Sequence, residues 1–551
     1  MDTPTDTGTA APAPPRAGRR EWLGVIVLAL PTLLVSVDLS VLFLALPRLS
    51  ADLEPSATEQ LWILDVYGLM LASFLIPMGT LGDRIGRRGL LFAGAAVFGA
   101  ASVWAAWAGG PGSLIAARTV MGVAAATLAP SSLALINSMF ADPKQRSAAV
   151  AVWMSCFMGG SIVGPIVGGT MLAAFWWGSV FLLAVPVIGL LLVTGPLLLP
   201  ESRGTAGGRL DPASVALAPA ALLPIMYAIT EGARGGWSPG PVFAGLTGLA
   251  LGAVFWRRQS RSSHPVLDPA LFRNRTYRPA LVLSMSGGAV QGGALLMANL
   301  YLQSVAGLSP LSAGLWMIPA TLAMVVGIMA GAGAGRVLRP AHVTAAGLLL
   351  SAIGYLMVTG VGTGTGVPAL LVAGFAVAMA GIGPGIGLGY DMMLGSVPPE
   401  KAGAGSATVE AGGQFGVATG IAVLGSVGAS VYRDHLRVPA GTPVMAADAA
   451  RDGVTGAVAV TRHSTAGWAD ELSDSAQHAF TAGLHSVVAV GAVLFLVLAG
   501  FVLVALRHVP PVGSAGPEGG TADDRNDHDR KERHAHGDVQ GRHGDRLRPA
   551  R

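Results

Sequence analysis

The feature that most constrains this chain is a series of apolar runs, each about twenty residues long, between short segments that hold most of the charge. A helix of about that length crosses the hydrocarbon core of a bilayer, where every backbone polar group must be paired within the helix. Only 12% of the residues are charged, against about 25% in ordinary soluble domains. The sequence therefore predicts an all-α polytopic membrane protein and excludes an ordinary globular fold.

Hydropathy in windows of about nineteen residues predicts fourteen spans. They cover residues 22–46, 59–79, 90–108, 114–138, 147–172, 175–198, 213–231, 240–256, 279–304, 312–335, 342–361, 367–393, 404–432 and 482–506. Pro219 and Pro224 interrupt the seventh span and the eighth is short, so twelve spans with a re-entrant pair is the competing count. Either count places both termini on the same side of the membrane.

The distribution of Lys and Arg predicts which side that is. These residues are frequent in segments on the side of the termini, such as 84–88 and 257–278, and sparse in the loops on the other side. Positive residues concentrate in cytoplasmic loops. We therefore expect a multi-pass protein of the cell membrane with both termini in the cytoplasm. Residues 1–20 and the run after them lack the pattern of a cleavable signal peptide.

Several kinds of chemistry find no support in the sequence. Cys156, the single cysteine, lies in an apolar run, which excludes a disulfide framework or a thiolate metal site. Neither a nucleotide-binding P-loop nor a nucleophile with its base stands out. The formal charge of +4 is too small and scattered to predict nucleic-acid binding. We expect a protein that is not an enzyme and holds neither a metal nor a cofactor.

Four charged residues lie deep inside predicted spans: Asp38, Asp65, Arg118 and Glu410. One ionised side chain near the bilayer centre costs about 2.5–3.5 kcal/mol. Each must therefore face a watery cavity, pair with an opposite charge or be neutral part of the time, and small rearrangements can switch a buried carboxylate between its charged and neutral forms. The acids are thus predicted to bind protons or cations. A static pair of Asp38 with Arg118, and static polar contacts for the other two acids, are the alternatives.

Two aromatic residues flank Asp65 in the second predicted span. Trp62 precedes it by three residues, so the ring and the carboxylate share a helix face. A ring and a carboxylate together hold an organic cation through cation–π and Coulomb attraction. We predict that Asp65, Glu410, Trp62 and Tyr67 form a cation-binding site, although packing is an alternative role for the aromatic rings.

The connection between the second and third spans combines glycines with one acid and several arginines. Its residues are Gly79, Gly82, Asp83, Arg84, Gly86, Arg87 and Arg88. Glycines permit a tight helix–loop–helix connection, and an acid among arginines forms charge-assisted hydrogen bonds. The segment is predicted to latch two helix ends together.

The fifth span carries a second cluster of small residues, consisting of Gly160, Gly164, Pro165, Gly168 and Gly169. Glycines let helix backbones approach closely in lipid, and a proline inside a helix bends it. The cluster is predicted either to shape a gate or simply to pack helices closely.

These motifs occur in the order found in the major facilitator superfamily. Residues 79–88 resemble its loop signature G-x-L-a-D-r-x-G-r-k/r, and residues 118–126 and 160–169 resemble motifs of its fourth and fifth spans. Residues 37–47 resemble the L-D-x-T-V-x-N-x-A-L-P signature of the fourteen-span drug:proton antiporters. In that segment Ser40 replaces threonine and Phe43 replaces asparagine.

The resemblance is strongest to the QacA-type exporters of quaternary ammonium compounds, through residues 54–67 and 401–416. It implies a major facilitator fold with two six-helix bundles and two extra central helices, fourteen transmembrane helices in all. The implied regions are a cytoplasmic tail (1–21), an N-terminal bundle (22–198), two extra helices with linkers (199–278), a C-terminal bundle (279–506) and a disordered cytoplasmic tail (507–551).

The C-terminal bundle includes an outer loop, residues 433–481, that is unusually long. We predict weakly helical stretches near residues 446–460 and 469–479. A loop of this size is either functional or a tolerated insertion.

The resemblance implies a proton-coupled multidrug efflux antiporter for lipophilic drugs, dyes or biocides, cationic ones in particular. Asp38 and Arg118 match the family's motifs and are expected to couple transport to protons. The expected partners are small molecules, protons and the lipid bilayer, with a functional monomer driven by the proton gradient. Two alternatives remain: export of a neutral or anionic antibiotic or secondary metabolite, and a transporter-like sensor or lipid-handling scaffold.

Overall fold

The computed structural model forms long α-helices throughout the part of the chain that it describes. That part comprises residues 17–140, 142–201, 211–235, 238–262, 269, 271–363, 368–395, 402–462, 464 and 466–511. Most of the predicted terminal tails and of the linker after residue 201 lie outside the described residues.

Seventeen α-helices occur among the described residues, with a 3-10 helix at Leu271–Arg273 and a π-helical turn at Tyr301–Val305. In chain order the α-helices are α1 (Arg19–Leu53), α2 (Ala57–Ile85), α3 (Arg87–Ala106), α4 (Pro111–Met139), α5 (Pro143–Ala174), α6 (Ser179–Leu182), α7 (Ala184–Leu198), α8 (Pro212–Gly235), α9 (Pro239–Gln259), α10 (Tyr277–Leu300), α11 (Pro310–Ala334), α12 (Pro340–Val358), α13 (Ala369–Gly395), α14 (Ala402–His435), α15 (Val444–Asp452), α16 (Val454–Thr461) and α17 (Gly467–Ala505).

The prediction of an all-α polytopic membrane protein is confirmed. Twelve helical segments of the described chain are long and apolar enough to cross a membrane. The helices α2 and α5, which are 29 and 32 residues long, coincide with the two remaining predicted spans. The count of fourteen transmembrane helices stays a prediction.

The helices form two groups that repeat one packing pattern. In the first group α1 packs against α5, and α4 packs against α2 and α3. In the second group α10 packs against α14, and α13 packs against α11 and α12. Close approach depends on glycine: a Cβ at Gly420 or Gly416 would lie within about 2 Å of a carbonyl oxygen of α10, which is far inside van der Waals contact.

The two groups touch through α2 with α14 and through α5 with α11. We call the side where α1 begins and α17 ends the terminal face, and the side that carries α15 and α16 the loop face. Leu311, at the start of α11, lies against Gly169 near the end of α5. Leu61 in the first turns of α2 lies near Gly425 in the last third of α14. These contacts join the groups in the half of the molecule nearer the loop face.

The helices α8 and α9 form a hairpin beside the contact of α2 with α14. Asp211 and Arg258 pair at its open end, and the guanidinium holds the pKa of the Asp211 carboxyl below its ordinary value. Met226 packs with residues of α2 and α14, and Thr58 donates a hydrogen bond to Glu231 at 2.8 Å. Pro219 and Pro224 lie inside α8 without breaking it, and α8 and α9 each contain a segment long and apolar enough to cross a membrane.

The long loop after α14 is largely helical. The predicted stretch near residues 446–460 forms α15 and α16, and Tyr432 donates a hydrogen bond to the carbonyl of Ala450 at 2.8 Å. The stretch near residues 469–479, which was predicted to be weakly helical, is helical and continuous with the last predicted span. It is the beginning of α17, because Leu472, Ala476 and Phe480 continue the buried face of that helix toward the loop face.

Candidate functional site

A cavity of about 270 Å³, which we call the central cavity, lies between the two helix groups. Helices α1, α2, α4 and α5 line one side, and α10, α11, α13 and α14 line the other. The wall is mainly apolar. Among the described residues, its polar members are Ser36, Ser40, Asp65, Arg118, Gln291, Asn299, Thr321 and Gln414. Such a space suits a small, mostly apolar molecule that a few polar groups orient.

Asp65 is the one carboxylate among the described residues that line this cavity. It lies in the first half of α2 and is only 5% exposed. Its Oδ1 atom accepts no hydrogen bond from the described part of the chain. A buried carboxylate oxygen without a donor is costly, so this position favours a bound proton or a bound cation.

Asp38 and Arg118 form an ion pair with the two charged atoms 2.5 Å apart. The Arg118 side chain is 1% exposed, and its Nε donates to the carbonyl of Ile63 at 3.4 Å. Its guanidinium lies 4.4 Å from the centre of the Tyr67 ring. Arg118 lines the central cavity, whereas Asp38 lies behind it. The ion pair is thus largely buried, and Arg118 is the partner that reaches the central cavity.

The two aromatic residues predicted beside Asp65 do not line the central cavity. Tyr67 is fully buried beneath the Arg118 guanidinium. Trp62 packs instead toward α8 and α14, in a cluster with Met226 and Ala418. The structure therefore places Tyr67 with the ion pair and Trp62 at the contact between the helix groups.

Glu410 lies in the part of α14 nearer the terminal face, on the other side of the cavity from the loop face. It accepts a hydrogen bond from Gln414 Nε2 at 3.1 Å. Gln414 lines the central cavity and lies near Gly68 of α2. Glu410 is thus joined to the cavity wall through Gln414 rather than forming part of that wall.

Several lining residues of the second group carry no charge and were missed in the sequence. Gln291 and Asn299 of α10 lie on the wall, and the Gln291 amide contacts the sulfur atoms of Met324 and Met379 at 3.9 and 3.7 Å. Two amides within an otherwise apolar run were a usable signal. The methionines gave none, because methionine is common in any apolar helix.

The glycines and the proline of the α5 cluster contact two different helices, α1 and α11. Gly160, Gly164 and Gly168 face α1, where a Cβ would come within 2.1–2.7 Å of its atoms. Gly169 lies against the backbone of Leu311, and Pro165 lies against Gly314, both in α11. The cluster therefore packs α5 within its own group and against the other group.

The glycine–arginine segment joins α2 to α3. Gly86 between these helices has φ +109°, a conformation that favours glycine. Arg88 donates to the carbonyl of Leu199 at 3.0 Å and pairs with Glu201 at 3.4 Å. Through this hydrogen bond and ion pair, Arg88 connects the start of α3 to the residues at the end of α7. The predicted Asp83 contact lies outside the described side chains, and Arg84 is exposed.

Comparison of the sequence with known protein families agrees with this arrangement of two similar helix groups around a cavity. The sequence model of the Major Facilitator Superfamily matches residues 28–421. The chain belongs to the major facilitator superfamily. The predicted family and fold are thereby confirmed, and the protein is a multi-pass membrane transporter rather than an enzyme.

Curated relatives of this major facilitator are drug transporters. It is 40% identical to the multidrug efflux pump LfrA of Mycolicibacterium smegmatis, over 90% of this chain and 98% of the relative. It is 33% identical to the methyl viologen resistance protein SmvA of Salmonella typhimurium, over 87% and 97% of the two chains. It is 34% identical to a probable actinorhodin transporter of Streptomyces coelicolor, over 77% and 75%.

Solved structures agree on the fold. A bacterial homologue of the human lysosomal transporter Spinster matches with a TM-score of 0.62 and 15% identity, over 89% of this chain and 98% of that one. A peptide transporter of the POT type matches with a TM-score of 0.60 and 18% identity, over 88% and 95%.

Among the described residues, no cluster of His, Cys, Asp and Glu could hold a metal ion.

Proposed function

We propose that this protein is a proton-coupled antiporter that exports lipophilic cations, including drugs, dyes and biocides, across the cell membrane. The observation that carries the proposal is Asp65, a buried carboxylate on the wall of the central cavity with an oxygen that accepts no hydrogen bond from the described chain. A multidrug efflux pump and a methyl viologen resistance protein among the relatives support it.

Substrate binding follows from the contrast between Asp65 and its surroundings. The wall around it consists largely of apolar residues, including Phe157, Met317 and Met324. Burial of apolar surface supplies affinity for a lipophilic molecule of any shape that fits, at about 25 cal/mol per Å². The carboxylate adds a Coulomb attraction for positive charge, which is stronger here than in water because the cavity wall is poorly polarisable.

Proton coupling follows from Asp38, the other aspartate of the first helix group. A proton that binds Asp38 removes the negative charge that holds Arg118. Arg118 already lines the cavity and donates to Ile63, two residues before Asp65 on α2. The released guanidinium then repels a bound cation and attracts the Asp65 carboxylate. Proton binding at Asp38 thereby weakens cation binding at Asp65, as an antiporter requires.

The proposed orientation places the terminal face, with both chain ends, in the cytoplasm. An inward-moving proton then gains about 2.3 kcal/mol per 100 mV of membrane potential and about 1.36 kcal/mol per pH unit. No cofactor is required, and the monomer is the proposed functional unit. The two bundles, residues 22–198 and 279–506, are proposed to rock against each other around the central cavity.

A dye-efflux assay in an efflux-deficient host tests the proposal. Cells that express the protein should expel a lipophilic cationic dye, and a protonophore should stop them. Asp65→Asn should abolish this efflux. Glu231→Gln is the matched control, because Glu231 is a partly buried acid of α8 outside the cavity; it should retain efflux. Equal loss in both variants, or dye export that survives Asp65→Asn, would contradict the role of Asp65.

A second candidate function is export of a neutral or anionic antibiotic. The amides of Gln291, Asn299 and Gln414 on the cavity wall favour it, because they hydrogen-bond uncharged oxygen-rich molecules, and a probable actinorhodin transporter is among the relatives. In that case Asp65→Asn spares export of neutral substrates. A sensor or lipid-handling scaffold would expel no dye in any variant.

A further inference from the structure

A second, smaller cavity lies between the central cavity and the loop face. Its volume is about 100 Å³, and we call it the loop-face cavity. Helices α1, α2, α10 and α14 form its floor and sides, and α15, α16 and α17 cover it. Its lining includes the apolar side chains of Leu46, Leu296 and Leu300 and the rings of Tyr432 and Phe480.

Leu64 lines both cavities. On α2 it lies between Asp65, which lines the central cavity, and Leu61, which lines the loop-face cavity. Its side chain is only 7% exposed. On α14 the change from one cavity to the other takes one helical turn: Ile421 lines the central cavity, and Gly425 lines the loop-face cavity. The wall between the two spaces is therefore about one side chain thick.

The rest of that wall is apolar and closely packed. Leu44 and Leu46 on α1 face the central and the loop-face cavity respectively, and each is 1% exposed. On the loop-face side of that wall, a Cβ on Gly425 would lie 3.5 Å from Leu296 and 3.6 Å from Leu61, so α2, α10 and α14 converge there. A layer of leucines between two cavities excludes water and hydrated ions, because neither finds a polar partner in it.

The loop-face cavity also contains features that suit a passing ligand. The Ser426 hydroxyl lines it, is nearly buried and makes no hydrogen bond with the described residues. Arg451 and Asp452 of α15 lie at its rim, next to water. A molecule there would rest on an apolar floor while its charged part faces a hydrated rim with charges of both signs, which gives weaker binding than a buried carboxylate.

We propose that Leu64 is the barrier between the central cavity and a release site, the loop-face cavity, which the exported lipophilic cation occupies on its way out. The nature of the ligand rests on the proposed function. The barrier itself does not, since it follows from the two cavities and the side chain between them.

Thiol labelling from outside intact cells tests the barrier without any transported substrate. Thr321 of the central cavity is replaced by cysteine in a Cys156→Ser background, and a membrane-impermeant methanethiosulfonate reagent is added. We expect slow labelling when Leu64 is intact. Leu64→Ala should speed it by about tenfold, the change produced by a barrier lowered by about 1.4 kcal/mol, and Leu64→Phe should slow it.

Leu61→Ala is the matched control, because Leu61 lines the loop-face cavity alone. It should leave labelling at Thr321→Cys unchanged. Thr455→Cys, which lies in α16 on the loop-face cavity, should be labelled at the same rate in every variant and so reports folding and orientation. Equal labelling of Thr321→Cys in Leu64→Ala and Leu61→Ala would overturn the barrier. Faster labelling in a protein that expels no dye would uphold the barrier and reject the proposed function.

Discussion

Two aspartates of the first helix group lie in different surroundings, and this difference separates their proposed roles. Asp38 is paired with Arg118, while Asp65 has an oxygen that accepts no hydrogen bond from the described chain. A paired carboxylate is stable as an anion, and an unpaired buried one is not. Asp38 therefore suits a proton switch that acts through its partner, and Asp65 suits direct contact with a cation.

Removal of one partner of the buried ion pair should destabilise the protein. Arg118→Met leaves Asp38 without its counter-charge and should lower the free energy of unfolding by about 3–5 kcal/mol. The double variant Asp38→Asn with Arg118→Met should recover much of this loss, because neither charge then remains. Thermal unfolding of the purified proteins in detergent measures both. A double variant no more stable than Arg118→Met would show that Arg118 stabilises the fold through Tyr67 and Ile63 rather than through Asp38.

The spacing of Trp62 and Asp65 shows what residue patterns leave undetermined. Three residues along a helix place both side chains on one broad face, yet the structure puts Asp65 on the central cavity and Trp62 against α8 and α14. The difference depends on where α8 packs. No local pattern in α2 encodes that position.

At the scale of helices, α5 is one of the two helices through which the first group mainly contacts the second. Three of its glycines contact α1, and Gly169 contacts α11 near the loop face. A rocking motion that opens the loop face must separate Gly169 from Leu311. This contact is therefore expected to control how tightly the loop face closes.

Two identical substitutions in α5 test this expectation. A Cβ at Gly169 would lie 2.5 Å from the Leu311 Cα, whereas a Cβ at Gly159 would meet no atom within 4 Å. Gly169→Ala should hold the loop face apart and reduce dye efflux. It should also speed outside labelling of cysteine at Thr321. Gly159→Ala should leave both unchanged. If the two variants behave alike, the contact between α5 and α11 does not control closure.

At the scale of the whole molecule, hydrophobic runs located each span that the structure describes, because the bilayer requires length and apolarity of every spanning helix. Helix ends were less predictable. The start of α17 extends beyond the membrane run, since its buried face there packs within the protein rather than against lipid. Hydropathy reflects the need for an apolar surface against lipid, and it does not detect packing of a helix within the protein.

The candidate site was predictable where it is charged. Asp38, Arg118 and Asp65 stand out within apolar runs, and the structure brings Arg118 and Asp65 to one cavity. Leu64 could not have been found in this way. Its place between two cavities arises from the convergence of α1, α2, α10 and α14, which only the folded molecule shows.

The central claim is that cation export is exchanged for protons through Asp38. The most direct test is substrate-induced proton release from everted membrane vesicles with a preformed pH gradient, followed by a pH-sensitive dye. The account predicts that a lipophilic cation discharges the gradient with the wild-type protein. Asp38→Asn leaves Arg118 without its counter-charge, as a bound proton does, and should therefore bind the cation more weakly and release no protons. Proton release by Asp38→Asn at the wild-type rate would contradict it.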